Sequence, residues 1–285
     1  MISQHNQHAC GSTTDKNDDS KQASFLGDAN FPQVAQKDSK GARIRLFQIL
    51  YQQYSRLGFS ISTDRPVAIA GLETRLIDAF DTSGGFGLFE RYLGRSLLWT
   101  RVTSENARLT KIPFGPAQTN PVPSWSWMAY EGAISFLYLP FGKIDWTVDV
   151  EFRSPVEFRS RNHSTGGTPS RTSRGRVSSN RNGCRTELRV VARPFDMVAA
   201  APRASDFLSG IVWDDPTAPH DPNQLRCVVI GRLKSESDTP ADPAQKHWVL
   251  VVHELSAGLY ERVGAGFLPK DTISQGAREM DSSVC

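Results

Sequence analysis

Hydrophobic positions recur at helical spacing near the start of the chain and at strand spacing further along. Over 42–57, Ile44, Phe47, Leu50, Tyr51, Tyr54 and Leu57 fall three and four apart, which lays them along one face of an α-helix. Gly58 stops that pattern. A second stripe follows at Ile69, Leu72, Leu76, Ile77 and Phe80, with Thr63 or Asp64 as its cap and Pro66 in its first turn. Gly71 is a weak point in this helix. The segment DTSGGFG at 81–87 reads as a turn or loop. Beyond it the period changes towards two. Residues 96–102 suggest a first strand. The clearest alternation covers 143–152, where Ile144, Trp146, Val148, Val150 and Phe152 interleave with Asp145, Thr147, Asp149 and Glu151. It predicts one ten-residue strand with one buried and one wet face. Residues 186–193 alternate similarly. Strands are also expected at 224–233, 247–253 and 259–263, and the Pro-containing loop at 234–246 implies a hairpin-like connection. Two N-terminal helices followed by strands without alternating helices predict an α+β fold with a mostly antiparallel, β-rich core.

Composition divides the chain. Residues 1–40 are polar, without periodicity, and read as a disordered arm. Residues 41–273 read as a single α+β domain. A flexible Arg- and Ser-rich insert interrupts it at about 153–185, and residues 274–285 read as a frayed tail. The chain of 285 residues carries a net charge of +3. The insert alone holds eight Arg, no Lys and one acid, so it contributes +7 and leaves −4 for everything else. The basicity is therefore local.

Arg171, Arg174, Arg176, Arg181 and Arg185 form a candidate basic contact segment for nucleic acid or phosphate. No aromatic residue is interleaved between Arg159 and Arg185, so bases would have nothing to stack on. This favours a solvated linker over a nucleic-acid arm. No apolar run reaches the length of a membrane span, and the first residues lack the apolar core of a signal peptide. A soluble cytoplasmic protein with no membrane partner is expected. Cys10, Cys184, Cys227 and Cys285 are far apart and form no CxxC pair, which argues against a disulfide framework or zinc module.

Most residues with chemical potential read as structural. Trp125 and Trp127, two apart, would share a face of a strand. They read as an aromatic core wall, with Trp99 and Trp146 as candidate neighbours; the alternative is a platform for a carbohydrate. Asp145 and Asp149 would lie about 13 Å apart on a strand, too far to share one cation. His247 and His253 would be about 20 Å apart. His5 and His8 have ligand-like spacing but lie in the polar arm. There is no GxSxG elbow, HExxH or P-loop. No catalytic residue, metal ligand or cofactor is expected, and Cys227 reads as a small buried hydrophobe.

The run VPSWSWMAYEGAISFLYLPFGKIDW at 122–146 resembles the region C-terminal to the catalytic-like module of fungal heterokaryon incompatibility (HET) proteins. Weaker resemblances follow the same order: YSRLGFSISTDRPVAIAGLETRL at 54–76, FERYLGRSLLWTR at 89–101, RCVVIGR at 226–232, HWVLVV at 247–252 and YERVGAGFL at 260–268. Trp99, Pro123, Trp125, Trp127, Tyr130, Gly132, Pro140, Phe141, Gly142 and Trp146 carry the signature and are expected to be structural. The family's HET domain proper starts with a Tyr-x-x-Leu-Ser-Tyr-x-Trp-Gly type motif. It also carries Ile-Asp-x-x-Cys-Ile-Gln and Trp-x-x-Gln-Glu elements, and none of the three occurs here. Any nucleotide-cleaving activity belongs to that module. The resemblance thus implies a truncated or split member without enzymatic activity: an accessory or interaction region with a protein partner, acting in fungal self/non-self recognition and incompatibility cell death.

Deleting residues 160–183 removes five Arg and no acid, taking the formal charge from +3 to −2. Isoelectric focusing should show the pI falling from about 8.7 to the acidic side of neutrality. A variant that still focuses on the basic side would contradict this partition of charge.

Overall fold

The computed structural model describes residues 35–103, 108–115, 122–147, 150–153, 187–197, 210–235, 243, 245–274 and 281–284. Residues 1–34 of the polar arm lie outside this set, as do 154–185 of the Arg-rich insert, with Arg171, Arg174, Arg176, Arg181 and Arg185. Residues 35–37 are helical and Ala35 is buried, so the expected arm ends earlier than residue 40.

Helix α1 spans Lys40–Ser55. Ser39 caps it, its hydroxyl accepting from the Ala42 amide at 3.2 Å. Ile44, Phe47, Leu50 and Tyr51 are buried along one face. Helix α2, Arg65–Phe80, is entered through a 3₁₀ turn at Ser62–Asp64. Asp64 takes the cap position, but its side chain accepts no helix amide. The Arg65 guanidinium turns back to donate to the carbonyls of Ser55 and Leu57 at 3.1 and 3.2 Å, closing the end of α1.

Strands β1 (Gly84–Gly85) and β2 (Leu88–Phe89) make a hairpin around Phe86 and Gly87. A five-residue helix α3, Leu93–Leu97, leads into β3, Trp99–Arg101, so the strand expected at 96–102 begins in helix and shortens to three residues. Strand β3 pairs with β6 (Ile134–Phe136), and β4 (Thr110–Lys111) pairs with β5 (Tyr130–Glu131).

The large sheet contains eight strands: β7 (Ile144–Trp146), β8 (Val150–Arg153), β9 (Glu187–Arg193), β10 (Gly210–Trp213), β11 (Leu225–Leu233), β12 (Lys246–Ser256), β13 (Leu259–Pro269) and β14 (Asp281–Val284). All pairings are antiparallel except β13 with β14. Strand β9 pairs with β14 and also with the start of β11. The order β11-β12-β13-β14-β9 therefore closes on itself, and a closed ring leaves no free edge among its members. Leu188, Val190, Val228, Ile230, Trp248, Leu250, Val252, Tyr260, Ala265 and Val284, drawn from all five strands, share one apolar cluster. A second cluster lies between α1, α2 and the 127–134 segment, and a third covers the opposite face of β11 and β12.

Three expectations are corrected here. The single strand over 143–152 is two: β7 pairs with β11, whereas β8 pairs with β9. Because β9 and β11 are antiparallel to each other, a chain antiparallel to both must turn between them. Strand β13 extends six residues beyond the expected 263. Its Gly264 and Gly266 do not interrupt it, because β10 lies so close that a Cβ at either would collide with the backbone at Val212 or Gly210. The expected frayed tail contributes Asp281–Val284 to the ring, with Val284 buried.

One buried ion pair ties the layers together. Arg262, on β13, donates from Nε to Asp214 Oδ2 at 3.0 Å and from Nη2 to Oδ1 at 3.3 Å. Its remaining donors reach the carbonyls of Leu97, at 2.9 Å, and Trp99. The guanidinium carbon lies 3.3 Å from the Trp99 ring centroid. Burial pushes the Asp214 carboxyl upward, against the opposing charge of Arg262. Replacing Asp214 by Ala leaves a buried cation without its partner and should cost about 3–5 kcal/mol, measured by urea unfolding. A loss under about 1 kcal/mol, as for an exposed pair, would show that the pin is dispensable.

Candidate functional site

The signature run does not form the expected strand at Trp125–Trp127. Residues 124–125 make a turn and Trp127–Ala129 a 3₁₀ turn. Ser126 organises both: its hydroxyl accepts from the Met128 amide at 3.1 Å and donates to the Phe86 carbonyl at 2.8 Å. The turn sends the two indoles into different cores. Trp125 is 0 % exposed and joins the barrel cluster. Trp127 is 1 % exposed and meets Tyr51 in the helical cluster, with 5.1 Å between centroids. Neither indole face is open to a sugar ring.

Trp99, also buried, donates its Nε1–H to the Trp125 carbonyl at 2.9 Å and packs on Tyr130. Pro123 is buried, and its carbonyl accepts from the Ser126 amide. Gly132 has φ +122 and lies against the Arg108 carbonyl, a place no other side chain fits. Gly142, at φ +75, sits in the turn after Pro140.

Two signature rings remain at the surface. Phe141 is 44 % exposed and Trp146 is 41 % exposed, so Trp146 does not belong to a buried aromatic wall. Both line one cleft of about 760 Å³, together with Lys40, Arg91, Arg95 and Lys234, and with Glu90 and Glu151. Arg95 donates to the carbonyls of Leu139 and Pro140 at 3.0 and 3.4 Å. Its guanidinium stands 4.2 Å from the Phe141 centroid and 5.6 Å from the Trp146 ring. Gly94 permits this arrangement, because a Cβ there would strike Trp146. On the far side of β7 lies a second cleft of about 500 Å³, lined by Asp145, Arg193, Arg232, His247 and Lys270 and sharing Trp146 and Thr147.

A buried carboxyl lies elsewhere. Glu73 of α2 accepts from the Gly87 amide at 2.6 Å, and from that of Phe86. Both turn residues have positive φ, +53 at Phe86 and +83 at Gly87, and the carboxyl holds this uncommon turn. Burial pushes Glu73 up to about 7, against the pull of the two amides. The Tyr51 hydroxyl and Trp127 Nε1 are buried without a hydrogen-bond partner, and the turn's Gly87 packs against that indole nitrogen. Neither cleft is lined by Glu73. The group therefore acts on the turn and helix packing. A signal for it exists in the sequence: Ile69, Glu73, Leu76 and Phe80 are four, three and four apart, so the acid sits in the apolar stripe.

The remaining candidates separate. Asp145 and Glu151 lie on different strands, and Asp149 is outside the described residues. His247 and His253 both lie on β12, opposite Arg232 and Leu225. Cys227 is fully buried, and burial pushes its thiol up to about 12. No group of three or more His, Cys, Asp or Glu fit to hold a metal occurs among the described residues. No described helix is long and apolar enough to cross a membrane.

The Glu73 environment predicts a pH dependence. A carboxyl raised from 4.5 to about 7 on folding keeps its proton while the unfolded chain ionises. Its stabilising effect is thus full below about pH 4.5 and lost as pH rises to about 7. The substitution Glu73→Gln would keep an acceptor for the two amides and remove the titration. It should therefore gain about 2–3 kcal/mol relative to the unsubstituted protein between pH 4.5 and 8, in urea unfolding at several pH values. A difference that stays flat with pH would refute this account.

Compared with known proteins, the chain matches no family model, no curated protein and no solved structure.

Proposed function

We propose that this chain is a non-enzymatic interaction region of a HET-family protein, acting in fungal self/non-self recognition and incompatibility cell death. The family assignment rests on the ordered resemblance over about 45–268, and a cytoplasmic location is part of the proposal. One structural observation carries the interaction role. Of the signature rings, Trp99, Trp125, Trp127 and Tyr130 are committed to the core, whereas Phe141 and Trp146 stand open in one cleft around Arg95. Trp, Phe and Arg are the residue types that dominate protein interfaces. Four cations against two carboxylates in the lining suit a partner segment with acidic and apolar side chains.

The carbohydrate reading loses its platform, since Trp125 and Trp127 are enclosed. Nucleic-acid association through the Arg-rich segment concerns residues outside the described set.

Replacing Phe141 and Trp146 together by Ala removes exposed rings. It should leave the unfolding midpoint within a few degrees. In fungal cells expressing an incompatible partner, the same variant should abolish the partner-dependent death response. An unchanged response in a folded double variant would sink the proposal.

A further inference from the structure

A row of charged side chains crosses three strands below Trp146. Asp145 of β7 is directly opposite Arg232 of β11, and Arg232 is directly opposite His247 of β12. Directly opposed residues of an antiparallel pair project from the same face. The row opens into the cleft of about 500 Å³, where Lys270, Arg193, Thr147 and Ser274 complete a polar lining. That volume is in the range of small-molecule sites.

The groups here differ in how firmly they are held. Arg232 approaches Asp145 only to 3.7 Å, with 57 % and 46 % of the two side chains exposed. Such a pair is weak and readily exchanged for a better anion. His247 is 8 % exposed, and its Nδ1 lies 2.9 Å from the Gln245 carbonyl. Nδ1–H donates there, which fixes the ring orientation and leaves Nε2 for another partner. Lys270 is anchored at the end of β13, where its amide donates to the same Gln245 carbonyl at 3.0 Å. Burial, and then the charges of Arg232 and Lys270, lower the His247 pKa, so both cations act on this one imidazole. An anion placed between them relieves that mutual repulsion and gains charge-assisted hydrogen bonds.

We propose that this cleft binds a small multivalent oxyanion, held between Arg232 and Lys270 with His247 as its floor. This assignment is independent of the family reading and of the cleft across β7. Phosphate and carboxylate groups share the required chemistry, and two probes separate them.

The test is calorimetric titration of the full chain with inorganic pyrophosphate and with citrate at low ionic strength. At least one should saturate below about 5 mM and weaken steeply with added salt. Saturation by pyrophosphate alone assigns a phosphate-bearing ligand. Saturation by citrate alone assigns a polycarboxylate, and saturation by both a site reading charge. Lys270→Gln and Arg232→Gln should each weaken binding about tenfold or more. Arg91→Gln, in the other cleft, should leave it unchanged. Thermal melts confirm that each variant is folded. In ring NMR spectra, the bound anion should shift His247 towards its protonated form, with Arg232, Lys270, Arg193 and Asp145 as the other charges in this lining. The proposal is overturned if neither probe saturates, if folded variants bind as before, or if the His247 signals stay still.

Discussion

The Arg262 guanidinium is the point on which the tertiary structure converges. It projects from β13 and is enclosed by Asp214, the Leu97 and Trp99 carbonyls, and the Trp99 ring. Its own amide donates to Ser124 in the signature turn. A buried cation is costly unless its charge and donors are matched, so each contributing segment is obliged to sit where it does. The barrel, the α3–β3 segment and the Trp125 turn are thus registered against one another by a single residue, through its side chain and its amide. Hydrophobic burial supplies most of the stabilisation, but it is non-directional; this network supplies direction.

Ring closure is the second constraint. Strands β11 and β12 have apolar residues buried on both faces, with Val228, Trp248, Leu250 and Val252 in one cluster and Cys227, Val249 and Val251 in another. The glycines of β13 let β10 approach its backbone. Where β9 and β11 diverge from each other, β8 and β7 pair with the edges this leaves open. Thr147 holds the end of β7 to β11, its amide and hydroxyl donating to the Ile230 and Val229 carbonyls at 3.1 and 2.7 Å beside the bulge in β11. Trp146, the last residue of β7, lines both clefts. The two clefts are a by-product of how the sheet closes.

Helices α1 and α2 were legible because their signal is local: Ile44, Phe47, Leu50 and Tyr51 repeat at the helical period, and that period alone sets which face is buried. Strand β9 was legible at period two, and β11 and β12 as apolar runs flanking a Pro-containing loop. The α+β class follows from their order. The signature rings were visible too, though nothing in their spacing separates Trp125 from Trp146.

Tertiary contact decided the rest. Alternation over 143–152 is indifferent to where the chain bends, and only the opposed directions of β9 and β11 impose the break. Gly264 and Gly266 look like strand breakers until β10 is placed against them. The tail at 281–284 gains its partners from β9 and β13, each distant in sequence. Asp214 and Arg262 are 48 residues apart, beyond the reach of any local periodicity. The row Asp145, Arg232 and His247 exists only in the register of three strands. Sequence by itself determined the two N-terminal helices, the main strands and the α+β class, because those depend on neighbours along the chain. The choice of which charges meet, and which rings stay exposed, depends on neighbours across it, and only the closed fold brings those together.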